Sequence, residues 1–331
     1  MRVSTQSKSF RKDWRWHLKN AVRDLNRLAS ELEVSLTDCK SDFPLLVPFP
    51  YLKRIKKGDR NDPLLLQVLP TVEENKEVAG YILDPLQEQK STNLPKGLIQ
   101  KYHRRALVVA AAACGVNCRY CFRRHFPYDQ SRLDQEKWQD LIQHVNLDKS
   151  LREIILSGGD PLILPDKFLE HLILSLNRIK HISTIRIHTR LPVVIPNRIN
   201  PELVSWIKKC TKRLVFVLHI NHPNEINDEV KKYLSKMKHG NTILLNQSVL
   251  LKRVNDNSKV LTLLAEKLFE TGILPYYLHL LDPVKGTAHF FVSASKGMEI
   301  IKDLKKQLPG YLVPRLAQEI PGLESKHTFF Y

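Results

Sequence analysis

From residue 105 onward the chain alternates short aliphatic and β-branched runs with longer amphipathic stretches, the pattern of parallel strands joined by crossover helices. The apolar runs predict strands over 105–112, 152–156, 184–188, 213–219, 242–246 and 275–279, with helices between them such as 134–145 and 166–179. Six such units are too few for a closed eightfold barrel, so the expected fold is α/β, a partial (β/α)6 barrel. In sheets of this kind ligands gather beyond the carboxyl ends of the strands. Those ends carry SGGD at 157–160, HTR at 188–190, HINHPNE at 219–225 and NQS at 246–248.

Upstream, Trp14, Leu18, Val22, Leu25, Leu28 and Leu32 recur at helical spacing and predict one N-terminal helix. The first sixteen residues are basic and poor in acid, as a transit peptide would be, but that apolar periodicity follows at once. The remainder up to about residue 104 reads as helices joined by proline-containing loops. Downstream, HFFVSASKGMEIIKDLKKQL predicts a further helix, followed by the strand-like YLVPRLAQEI and a tail folding back over the barrel mouth. The expected organisation is an N-terminal helical extension over 1–104, a barrel core over 105–290 and a C-terminal closing segment over 291–331.

A chain of 331 residues with 43% hydrophobic content can bury a core of barrel size, and no run of eighteen apolar residues reads as a membrane span. The expectation is a soluble, cytoplasmic protein with no membrane partner. A net charge of +18 favours acidic partners, yet the basic residues are scattered as RIKK, HRR, FRRH and KKYLSKMK, which argues against a nucleic-acid platform. Five cysteines, three of them within eight residues, do not make a disulfide framework; they point to a reducing compartment and a bound metal. Cys39 and Cys210 read as incidental thiols.

The spacing C-x3-C-x2-C sets Cys114, Cys118 and Cys121 in one tight loop after a strand. Three thiolates can take three corners of a [4Fe–4S] cubane and leave its fourth iron open to a ligand. The alternative is zinc, with His125 as a fourth ligand. Structural zinc modules usually pair their ligands across a hairpin or helix, whereas here all four candidates fall in one twelve-residue stretch. At the later strand ends Ser157, Gly158, Gly159 and Asp160 can bring backbone close to a ligand, and His219 and Gln247 are candidate polar contacts.

Taken together, CRYCFRRHFPY, LSGGDPL, RIHTRLPVVIPNRI, HINHPNE, LNQSVLLKRVND and LLDPVKGTAHF resemble the lysine 2,3-aminomutase family of radical S-adenosylmethionine enzymes. The CFRRHFPY string leans to the branch that makes β-lysine for elongation factor P. The resemblance runs from roughly Leu94 to Lys326. It implies a [4Fe–4S] cluster on the three cysteines, S-adenosylmethionine beside it, and pyridoxal 5′-phosphate as a third cofactor. It further implies conversion of (S)-α-lysine to (R)-β-lysine by a radical route, with free lysine as substrate and a reductant such as flavodoxin or ferredoxin. Elongation factor P and its lysyl ligase are the implied functional partners.

Residue by residue, the lysine that the family joins to pyridoxal phosphate falls on Lys326, and Tyr102 and Arg105 match positions that hold its phosphate. The SGGD segment, Ser157 to Asp160, with His219 and Gln247, matches the surroundings of S-adenosylmethionine. Arg123 matches the clamp for the α-carboxylate of the substrate, and Asp282 and Glu319 match the pair that takes its side-chain ammonium. The string before Lys326 is IPGLES, one member of the acidic pair is Glu rather than Asp, and the tail is shorter than usual. The zinc site carried by longer family tails is therefore expected to be absent. Three rival readings stand beside this one: an aminomutase for another amino acid, an RNA-modifying radical enzyme, and a basic zinc or nucleic-acid-binding protein without catalysis.

Overall fold

A computed structural model describes residues 13–36, 39, 41–88, 94–128 and 135–329. The first twelve residues and Asp134, where a helix was expected to begin, lie outside the described residues. Among the described residues nine strands form one open sheet in chain order: β1 (Leu98–Tyr102), β2 (Arg105–Ala111), β3 (Glu153–Gly158), β4 (Thr184–Thr189), β5 (Arg213–His219), β6 (Thr242–Val249), β7 (Leu274–His279), β8 (Arg315–Gln318) and β9 (His327–Thr328). From β2 to β8 every pairing is parallel, while β1 and β9 add antiparallel edges. This is an open, partial β/α barrel.

All six expected strands are present, with ends shifted by at most three residues. A seventh parallel strand, β8, extends the barrel in the segment read as strand-like. The helical reading of everything before 104 needs correction at Leu98–Tyr102, which pairs with β2 through a tight turn at His103 and Arg104.

The expected single N-terminal helix is two. Trp14–Lys19 stops at Asn20, Val22 bridges to Val47, and Leu25–Leu32 restarts with the Asp24 side chain capping Arg27 N at 2.9 Å. Asn20 and Asp24 favour cap conformations over helix interior, which breaks the run without moving its apolar face. Trp14, Val22, Leu28 and Leu32 join one continuous core with barrel residues such as Ile185, Ile187 and Leu214.

That packing braces the cysteine loop. Asn117 N donates to Leu46 O at 3.1 Å, Arg119 N to Gln67 O at 2.9 Å, and Asn117 Nδ2 to Pro44 O at 3.0 Å. Backbone groups of a buried loop must find partners, and here the N-terminal third supplies several of them.

Six crossover helices cover the outside of the sheet: Gln135–Leu147, Asp166–Asn177, Pro201–Lys209, Asp228–Leu234, Ser258–Glu270 and Ala294–Gln307. At the opening between the first and last strands, Tyr102 OH donates to Glu319 Oε1 at 2.5 Å, and Lys101 Nζ lies 3.8 Å from the same oxygen. Side chains, rather than a backbone ladder, join the two ends of the sheet.

Candidate active site

The carboxyl ends of β2 to β6 converge on the cysteine loop. Past β2, Cys121 N donates to Cys118 O at 3.0 Å, a turn that sets the second and third cysteines close together. Burial raises the Cys114 thiol well above its ordinary value, with Cys121, Asp160 and Cys118 adding to the shift. Burial likewise pushes Cys121 up to about 11. Without metal these thiols hold their protons; a bound iron centre would supply the charge that favours the thiolates.

Arg190, at the end of β4, reaches into this loop from another element. Its Nη1 donates to Cys118 Sγ at 2.7 Å and to Tyr120 OH at 2.6 Å; its Nη2 donates to Gln67 Oε1 at 2.7 Å and Glu225 Oε2 at 2.8 Å. Tyr120 OH in turn lies 2.7 Å from His219 Nε2, so β5 is tied to the loop as well. His219 is held neutral by burial, with Arg190 and His279 pushing the same way. The basic string of the loop is structural: Arg119 pairs with Glu74, Arg124 Nη2 lies 2.7 Å from the same carboxylate, and Arg123 pairs with Glu88.

The glycines after β3 exist for close approach. Gly158 has φ +115°, and a Cβ there would sit 2.4 Å from Ala111 O; at Gly159 it would sit 2.3 Å from Ala113 O. Gly159 N and Asp160 N donate to those two carbonyls at 2.7 and 2.8 Å, which locks β3 to the residues leading into Cys114. Both Asp160 oxygens are taken: Oδ1 accepts from Leu162 N and Thr189 Oγ1, Oδ2 from Arg190 N and Leu191 N. Asp160 thus joins the ends of β3 and β4 and has no lone pair left over for a ligand. Gln247 is the register partner of His219 on β5 and of Tyr277 on β7, which sets it level with the loop.

A second group of residues lies on the far side of the mouth. Lys326, just before β9, forms an ion pair with Glu319. Burial opposes the charge on Glu319, but Lys326, Tyr102 and Lys101 outweigh it and hold the carboxyl below its ordinary value. Asp282, past β7, is different: burial pushes it up to about 7 despite Lys326. Arg105 stacks its guanidinium 5.0 Å from the Tyr102 ring centroid. The charge of Lys326 also reaches His188 and His279, both neutral through burial, and His188 Nε2 has no hydrogen-bond partner.

Arg123 stands between the two groups. It grips Glu88 with two parallel bonds, Nε to Oε2 at 2.7 Å and Nη2 to Oε1 at 2.9 Å, while Nη1 reaches Ser157 Oγ at 3.1 Å and Gly158 O at 3.3 Å. His125 turns away, its Nε2 3.1 Å from Lys285 O, and among the described residues no three His, Cys, Asp or Glu side chains converge on a single metal ion.

The radical SAM superfamily model matches residues 108–252, the span from β2 through the cysteine loop to just past β6. An L-lysine 2,3-aminomutase of Haemophilus influenzae is 44% identical across 99% of this chain and 99% of its own length. The Escherichia coli protein of the same name is 42% identical across 98% and 96%, and that of Clostridium subterminale 35% across 94% and 76%. The chain belongs to the lysine 2,3-aminomutase family of radical SAM enzymes.

Membership of the radical SAM family implies a [4Fe–4S] cluster with S-adenosylmethionine. The donor set fits: three partly exposed thiols share one loop with a guanidinium directed at Cys118 and tightly approaching glycine backbone beside them. Sequence reasoning missed Arg190, Glu225, Gln67, Lys101 and Glu88. Arg190 and Glu225 lay within polar strand-end strings and carried some signal, whereas Glu88 sits in a loop with none.

Proposed function

We propose that this aminomutase converts (S)-α-lysine to (R)-β-lysine in the cytoplasm, with pyridoxal 5′-phosphate as its third cofactor, and that the product serves modification of elongation factor P. The observation that carries the reading is one cationic fork, Arg123, engaged by Glu88 in the ligand-free protein, together with two carboxyl groups, Asp282 and Glu319, at a mouth that also holds Lys326. Such an arrangement suits an amino acid with an ammonium at its far end. An aminomutase for a substrate lacking that ammonium would have no use for two partly buried carboxyls. The names of the relatives support lysine, and the CFRRHFPY string supports the elongation-factor branch.

When bound, S-adenosylmethionine on the cluster would supply a hydrogen-abstracting radical, and pyridoxal phosphate would supply an aldehyde carbon that keeps hold of the amino nitrogen as it exchanges the α carbon for the β carbon. The chain's own residues bind and orient. Cys114, Cys118 and Cys121 hold the irons; Ser157, Gly158 and Gly159 line the S-adenosylmethionine side with His219 and Gln247, and Asp160 positions them. Lys326 anchors pyridoxal phosphate, with Arg105 and Tyr102 toward its phosphate. Arg123 takes the α-carboxylate, and Asp282 with Glu319 takes the ε-ammonium. A flavodoxin or ferredoxin serves as reductant.

The test is anaerobic incubation with lysine, S-adenosylmethionine and a reductant, followed by chiral separation of the amino acids. β-Lysine is expected; unchanged lysine would end the proposal. Lys326→Ala is expected to lose the pyridoxal absorbance while keeping the brown iron–sulfur colour. Retention of both would remove Lys326 from its role.

Asp282 gives the site a pH dependence. With its folded value raised to about 7, the ligand-free protein favours the neutral acid, a preference fully present below the unfolded carboxyl value and lost as pH rises through 7. An incoming ammonium needs the ionised form, so below pH 7 lysine binding must expel a proton. KM for lysine is expected to rise by up to about tenfold for each unit below 7, and Asp282→Asn to flatten that slope while weakening binding. KM measured from pH 5.5 to 8.5, an interval of about three units, checks both.

A further inference from the structure

We propose that Glu88 is an internal stand-in for the substrate carboxylate: it fills the Arg123 fork in the ligand-free enzyme and is exchanged for the α-carboxylate of the amino acid when it binds. The inference rests on the reading of Arg123 as the carboxylate clamp.

A guanidinium has five N–H donors. In Arg123, Nε and one Nη2 donor go to the two oxygens of Glu88, at 2.7 and 2.9 Å, and Nη1 serves Ser157 Oγ and Gly158 O. No edge remains for a second bidentate carboxylate. Electrostatics points the same way. Arg123 and Glu88 are both buried, at 6% and 9% exposure, and Glu88 is held at about 2 because Arg123 and then Lys101 overcome its burial. Adding another carboxylate to this neutralised pair would bury an uncompensated charge.

The released side chain has a place to go. Lys101 Nζ is already 3.2 Å from Glu88 Oε1, and its side chain is 26% exposed, so the carboxylate can leave the buried fork for a partner nearer to water. The backbone of Glu88 need not move far, since its N–H is bonded to Asp84 Oδ1 at 3.2 Å. Lys101 also faces Glu319, which links this exchange to the opposite end of the substrate pocket. At that end Lys326 occupies Glu319 as an ammonium would, so both ends of the pocket carry an internal counterpart of the group expected there.

A site that must first vacate its fork binds more weakly by the fraction of molecules in which the fork is open. Removing the internal competitor should therefore tighten binding of carboxylate-bearing ligands alone. The experiment is calorimetric titration of the anaerobic holoenzyme, without S-adenosylmethionine so that nothing turns over, using lysine and lysinamide as probes. Glu88→Gln is expected to bind lysine about tenfold more tightly and lysinamide unchanged, with Glu88→Asp, which keeps the charge but shortens the reach, in between. Lysine affinity that is unchanged or weaker in both variants would overturn the exchange and make Glu88 a fixed brace for Arg123. Arg123→Met separates the underlying reading: it should weaken lysine and leave lysinamide alone, and equal loss of both would place the failure with the clamp itself.

Discussion

Replacing Cys118 with alanine is expected to remove the iron–sulfur centre and with it all rearrangement of lysine. Two thiols cannot hold three irons of a cubane, so the loss of metal affinity should exceed the roughly 10–100-fold that follows removal of an outer-shell partner. The effect is compounded because Cys118 Sγ is an acceptor for buried Arg190, whose Nη1 would be left with Tyr120 OH alone. Iron and sulfide content after anaerobic reconstitution, together with β-lysine formation, measure it. Cys210→Ala is the control. That thiol sits at the end of Pro201–Lys209 against Asn177 and Lys212, and its removal should leave both quantities as they were. Iron bound at full stoichiometry in Cys118→Ala would refute the ligand assignment.

Gly159→Ala should be nearly as damaging without touching a single ligand. Its new methyl group would lie 2.3 Å from Ala113 O and 2.7 Å from Ala113 C, both backbone atoms that no rotamer change can clear. Overpacking of this kind costs about 3 kcal/mol or more, since β3 or the residues entering Cys114 must shift bodily. The Asp160 N to Ala113 O bond at 2.8 Å would be stretched by the same movement. A lowered thermal midpoint and poor retention of iron are the expected signs. Gly310→Ala, with nothing within 4 Å of its Cβ, should show neither. Equal stability of the two variants would mean that the loop has slack which the structure does not suggest.

The barrel was legible because β2, β3 and β5 are buried along most of their length and read as continuous apolar runs, as in LVVAA of β2 or LVFVL of β5. Short edges lack that signal. In β1, LIQKY is half-buried and mixes polar with apolar positions, and β8 contributes only four residues. The N-terminal periodicity placed the right side chains in the core while hiding the break at Asn20 to Asp24, since a helix pair with one shared face keeps the same spacing. In the site, cysteine spacing and strand-end clusters pointed to the cluster loop directly. Ion-pair partners were invisible. Arg123 meets Glu88 from 35 residues away and Arg190 meets Glu225 across a similar interval, choices made by tertiary proximity and not by any local pattern.

The bracing of the cysteine loop also dates its maturation. Arg119 is tied to Glu74, 45 positions earlier, whereas Cys118 waits for Arg190, 72 positions later, and Tyr120 for His219 and Asn221, 99 and 101 positions later. Contacts of such long range form late, after the chain has paid their loop-closure entropy. Before β4 and β5 have formed, the cysteine loop has only its partners from the N-terminal third, at Pro44, Leu46, Gln67 and Glu74, and iron delivered then would meet half a cradle. Firm retention of the cluster is thus expected only of a chain folded through β5, the strand end that supplies His219 and Asn221.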